Sequence, residues 1–417
     1  MCINHVHVQS SESKSSFLIH LRFQRLPMPT FLFPSFLLLL SFLCFPSPSS
    51  SSLLYNVQSF GAVSGATSDA TSSFLKAWAS ACSSASPSTL YVPPGRFLLR
   101  SLALAGPCRS SVTFRSEATL LAPSEYWGLG NSDYWIMFIN VTRLSVVGGV
   151  YDARGSSYWS CVASRSSCTG GANTLAFEWS NDVHVSGVTS LNSRQFHIGI
   201  DNCVDIAVQN VRLNAPSQSP NTDGIHVQSS TGVSVFNARI TTGDDCISLG
   251  PGTKNVFIKR VACGPGHGIS IGSLGNTAQE DGVQNITVTG VVFTGTQNGV
   301  RIKSWARQST GFARDITFRN IVMKNVYNPI IIDQKYCPDN NCPNQNSGVQ
   351  ISRVSYKHVR GTSATQVAVS LICSPTRPCW GISLKNIDLT SPGQTTTSYC
   401  EHAGGTASGI VVPKSCL

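Results

Sequence analysis

A six-residue pattern, apolar-x-apolar-x-x-apolar, recurs along this chain and constrains the fold more than any other feature. Copies begin at Leu144 (LSVVGG, with glycine in the sixth place), Val183, Ile206, Val233, Val256, Ile286, Ile316, Val349 and Ile382, at intervals of 23 to 39 residues. Within each copy, apolar and polar residues alternate, which describes a strand with one buried face. Recurrence every two to three dozen residues describes stacked units rather than a sandwich. β-branched residues and glycines fill the copies, against a helical solenoid, and the leucine spacing of a leucine-rich repeat is absent. The expectation is an all-β, single-domain parallel β-helix, each coil burying its inward faces in one continuous core. Several copies follow Asn or Asp, as at Asp182, Asn255, Asn285 and Asp315.

The ends differ. Residues 69–84 place Ala, Leu and Trp at helical spacing, with Thr71 or Ser72 as N-caps. This predicts a short helix closing the N-terminal end of the core, as a solenoid needs. Residues 1–52 read as a signal peptide: Arg22 and Arg25, an apolar run from Phe31 to Phe45 broken by Pro34, then a Pro/Ser exit. The run is too short for a membrane span, which takes about 20 residues. Met28 precedes it, so residues 1–27 read as a possible upstream extension. The β-helix domain is expected over 53–417.

Secretion makes cysteines disulfide candidates. Of 15, Cys2 and Cys44 lie in the leader. The close pairs are Cys161/Cys168, Cys337/Cys342 and Cys373/Cys379; Cys82/Cys108, Cys246/Cys263 and Cys400/Cys416 are further candidates, leaving Cys203 as a buried small hydrophobe. Asn140 and Asn285 head glycosylation sequons. The chain carries +10, of which Lys14, Arg22, Arg25 and Glu12 in the leader account for +2, leaving +8. Such a charge attracts polyanions. No Lys/Arg run interleaved with aromatics marks a nucleic-acid surface.

A second set of segments lies between the repeats: NTDGIHV at 221–227, GDDCISL at 243–249, GPGHGISIG at 264–272 and GVRIKSW at 299–305. With Ile225, Ile247 and Ile269 aligned, Asp223, Asp245 and His267 fall 22 residues apart, twice over. Equal positions on successive coils stack at about 4.8 Å. Asp223 and Asp245 should therefore be neighbours, with Asp244 beside them and His267 one coil further. Asp223 shares strand parity with Ile225, so Gly224 must interrupt the alternation. The whole chain has 20 acidic residues, and crowding three carboxylates costs energy. A hydrogen-bonded aspartate ladder at coil turns is the structural alternative. Arg301 and Lys303 share one strand face and suit a carboxylate-bearing ligand. The 31-residue step from Ile269 to Val300 requires a loop, placed at Gly275 to Gly282. Trp305 either stacks on a sugar ring or fills a turn.

The segments SPNTDGIHV, TGDDCISLG, CGPGHGISIGSLG and NGVRIKSW, with NPIIIDQKYC around Tyr336, resemble the polygalacturonases of glycoside hydrolase family twenty-eight in order and in kind. The resemblance runs from about Leu54 to the C-terminus. It implies a right-handed parallel β-helix that hydrolyses α-1,4-galacturonan with inversion. It implies Asp244 as general acid, Asp223 and Asp245 as the pair that activates water, and His267 as support for the acid. Arg301 and Lys303 would bind substrate carboxylates, and Tyr336 would be a further binding residue. No cofactor or metal is expected. The expected partner is polygalacturonate or pectin, not nucleic acid or membrane, for a secreted monomer of the cell wall. The rival readings are a calcium-dependent pectate lyase on the same architecture and a non-catalytic pectin-binding homologue.

Overall fold

The computed structural model describes residues 52–164, 167–338, 341–342 and 345–417. The expected signal peptide, residues 1–52, lies outside them except for Ser52. The described residues form a parallel β-helix: a 17-stranded and an 11-stranded sheet, in which every strand-to-strand pairing is parallel. Copies of the repeat stack in register, Leu144 on Val183, Val183 on Ile206, Val256 on Ile286 and Ile286 on Ile316. Their apolar positions are fully buried. Each such aliphatic side chain contributes about 1.5–3 kcal/mol relative to exposure. Aromatic rings join the same column: Phe138 stacks on Phe177 at 5.4 Å, and Phe318 on Tyr356 at 5.3 Å.

The polar residue leading each copy has a backbone task. Asp182, Asp205, Asn255, Asn285 and Asp315 adopt left-handed φ values of 54–59°. Asn and Asp tolerate that conformation better than most side chains, so they turn the chain into each strand. Asn285 Nδ2 also donates to Asn255 Oδ1 one coil away at 2.7 Å.

One copy was misplaced by sequence. Ile316 pairs with Val354, not Val349, and the copy is VSYKHV. Val349 and Ile351 are buried too, and Tyr356 fills the second apolar place, so an aliphatic pattern locked on five residues early.

The capping helix spans Thr71–Cys82 and buries Phe74, Ala77, Trp78 and Ala81. Its N-terminal acceptor is Asp69 rather than Thr71 or Ser72: Asp69 Oδ1 accepts from the Thr71 amide at 2.9 Å. A second helix, Ser156–Ala163, was not foreseen. All six candidate disulfides form, and Cys203 is unpaired and buried. The 275–282 loop joins strands Ile269–Leu274 and Val283–Thr289.

Candidate functional site

The 11-stranded sheet carries the site. Ile225 pairs with Ile247, Ile247 with Ile269, and Ile269 with Val300. Asp223, Asp245 and His267 each lie two residues before these strands begin, in the turns that feed them. The turns are bonded coil to coil: Gly224 N donates to Asp245 O at 2.9 Å, and His267 N to Asp244 O at 2.7 Å. Gly224 is required by space rather than by φ, since a Cβ there would meet Cys246 O and Ile240 Cγ2 at 2.5 Å.

Asp223, Asp244, Asp245, His267, Arg301, Lys303 and Tyr336 all line one cleft of about 460 Å³, with Asn221, Phe196, His226, Ser248 and Gln297. Asp245 is 1% exposed. Its Oδ1 accepts from Arg301 Nη2 at 2.9 Å and from Ser270 Oγ at 2.8 Å, and its Oδ2 from Lys303 Nζ at 2.9 Å. Burial pushes its carboxyl up, but Lys303 and Arg301 outweigh burial and hold it below the usual carboxylate range. Asp223 has no such cations in contact. Burial first, then the charges of Asp244 and Asp245, push its carboxyl well above the usual range, against the Ser248 hydroxyl and Lys303. Asp244 is the most open of the three, its side chain 23% exposed against 7% and 1%. Its Oδ1 accepts from the Asp245 amide at 2.8 Å and lies 3.0 Å from His267 Nδ1.

Arg301 and Lys303 do more than sequence suggested. They border the cleft, but both are bonded to Asp245. Tyr336 packs beside them, with Lys303 Nζ 5.1 Å from its ring centre. Trp305 packs edge-on against Tyr336 at 5.1 Å and lines an adjoining depression of about 470 Å³.

Sequence reasoning missed Ser248, Ser270 and His226. Ser248 Oγ donates to Asp223 Oδ2, as Ser270 Oγ does to Asp245 Oδ1, each serine 25 residues after its aspartate. With its proton on Asp223, Ser248 accepts from His226 Nδ1, 2.7 Å away. Burial lowers His226 to about 4, so this imidazole is neutral at higher pH. The signal was present: His226, Ser248, Ser270 and Arg301 occupy one register position on four coils. Losing the Ser248 bond should disfavour the Asp223 carboxylate further. Ser248→Ala is therefore expected to move the acidic limb of the kcat/KM profile to higher pH. An unmoved limb would remove Ser248 from the control of Asp223.

Among the described residues, Asp244, Asp245 and His267 bring ligand-type atoms within 4.8 Å of one another. Both oxygens of Asp245 already accept from fixed cations, so this donor set does not fit a metal.

The model of Glycosyl hydrolases family 28 matches residues 82–410. A polygalacturonase from Prunus persica is 53% identical over 89% of this chain and 95% of its own length. An exopolygalacturonase from Platanus acerifolia is 42% identical over 87% and 98%. Among solved structures, an endo-xylogalacturonan hydrolase from Aspergillus tubingensis superposes with a TM-score of 0.75 at 23% identity, covering 86% of this chain and all of that one. At that identity the likeness speaks for the fold. With the fold, the order of the cleft segments and these matches in agreement, the chain belongs to family 28 of the glycosyl hydrolases and is a glycoside hydrolase.

Proposed function

We infer that this enzyme is a polygalacturonase that hydrolyses the α-1,4-galacturonosyl bonds of pectic homogalacturonan with inversion. The observation that carries the reading is the splitting of environments in one cleft: Asp245 is held ionised by Arg301 and Lys303, while Asp223 is raised by burial and by its neighbours. Inverting hydrolysis needs a proton donor and a proton acceptor from one residue type. Interacting carboxyls share protons, so the proton that burial and repulsion retain at Asp223 exchanges with its neighbours. We place its delivery at Asp244, the carboxyl most open to a glycosidic oxygen and the one beside His267. Asp223 and Asp245 then orient and deprotonate water, and their charge offsets the cationic transition state. Arg301 and Lys303 supply the positive wall on which a uronate carboxylate rests.

Six disulfides support action outside the cell, in the wall. Among the described residues, no helix is long and apolar enough to cross a membrane. The deciding experiment is reducing-end release from polygalacturonate. Hydrolysis should persist in EDTA and yield no ultraviolet-absorbing unsaturated product; such a product would make the enzyme a lyase. The length distribution of the products then separates random from terminal cleavage.

A further inference from the structure

The other sheet carries a row of cations that the catalytic cleft does not use. Phe236 pairs with Lys259, Lys259 with Thr289, Thr289 with Arg319, Arg319 with Lys357, and Lys357 with Lys385. Four of five consecutive coils thus present Lys or Arg at the same place, just before the chain turns a corner. Lys259, Arg319 and Lys385 are exposed and Lys357 is half-buried. Arg260 adds a fifth cation at its corner. Among the described residues, none of these five has a carboxylate within 4 Å.

Like charges directly opposite on neighbouring strands are destabilising, and neighbouring coils are about 4.8 Å apart. Elsewhere on this sheet charges are matched: Arg353 Nε and Nη2 bond Asp315 across one coil at 2.6 and 2.7 Å. The ridge lacks such matching. It also borders a depression of about 540 Å³ whose polar lining includes Asn320, His358, Arg360 and Asn386, with Asp388 as its carboxylate, beside Arg360 in register.

We propose that this ridge and the depression beside it are a second docking surface for an anionic polysaccharide, separate from the cleft. The occupant is a stretch of de-esterified polyuronate lying along the stack of coils. A chain with a carboxylate on each sugar relieves the repulsion along the ridge, which a neutral glycan does not. The depression accepts the sugar rings while the ridge takes the charges. Naming the polyuronate as galacturonan rests on the hydrolase reading; the ridge itself does not. Holding polymer at a second site raises the local concentration of bonds presented to the cleft. A short oligomer that fills only the cleft gains nothing.

The test compares two triple variants with equal loss of charge. One is Arg319→Gln, Lys357→Gln, Lys385→Gln on the ridge. The other is Lys76→Gln, Arg96→Gln, Arg109→Gln, exposed positions at the N-terminal end of the stack. The ridge variant should keep the wild-type melting temperature and its kcat and KM on trigalacturonate. Its KM on high-mass polygalacturonate should rise about tenfold at low salt, with a flatter salt dependence. It should also elute earlier from immobilised polygalacturonate. Elution needs no turnover, so it reports on the ridge even if the hydrolase reading fails. A ridge variant that matches the control variant in both KM and elution overturns the proposal.

Discussion

Asp244→Asn is expected to fold normally and to lose about 10²- to 10⁴-fold in kcat on polygalacturonate, the usual contribution of a general acid. The amide keeps the shape and can still accept from the Asp245 amide, but it holds no transferable proton. The structure makes this a sharp test, because burial and repulsion raise Asp223 above the usual range, while the open position beside His267 belongs to Asp244. A galacturonide with an activated aryl leaving group needs little protonation. Asp244→Asn should therefore recover much of its rate on that substrate, while Asp223→Asn should not. Rescue of Asp223→Asn alone would exchange the two roles. Full retention of rate by Asp244→Asn would remove it from the chemistry.

Asp245→Ala is expected to cost about 3–5 kcal/mol of stability in addition to activity, as removing one partner of a buried ion pair does. Arg301 and Lys303 are each 8% exposed and share this carboxylate, so its loss leaves two cations buried without it. A lowered melting temperature and guanidinium midpoint would report it. Replacing the group together, as Asp245→Leu, Arg301→Leu, Lys303→Met, should restore much of the stability and none of the activity. Wild-type stability in Asp245→Ala would mean that the cations find other partners. The pH dependence follows from the sign of the shift. Asp245 is held below its ordinary value of 3.8, so its contribution is complete above that pH and is lost as pH falls through the lower, native value. Asp223 acts in the opposite sense: its folded form is favoured while protonated, and that advantage fades as pH rises above 3.8 toward its raised value.

The stack was legible because inward positions repeat and every coil must bury the same face. The 22-residue intervals likewise placed Asp223, Asp245 and His267 at equivalent turns, since register in a parallel stack follows from the apolar positions alone. Boundaries were less legible where two apolar alternations overlap, as at Val349 and Val354. The helix Ser156–Ala163 was hidden because it lies between repeats and buries little beyond Cys161. The serines escaped because a hydroxyl at a strand position is common and says nothing by itself. Only the three-dimensional register shows Ser248 and Ser270 each reaching back one coil to a carboxylate. The pairing of Asp245 with Arg301 and Lys303 was invisible for the same reason: 56 and 58 residues separate the partners.

The cleft draws its groups from coils in the middle of the stack, between Asn221 and Tyr336, while strands continue back to Leu53 and on to Val412. In a solenoid each coil leans only on its neighbours, so stability is a nearest-neighbour sum. Fraying of the outermost coils then leaves the central ones folded. Amide exchange should proceed inward from both termini, and catalysis should outlast the first loss of strand signal on heating. The coils beyond the cleft thus act as sacrificial turns, lengthening the working life of the enzyme.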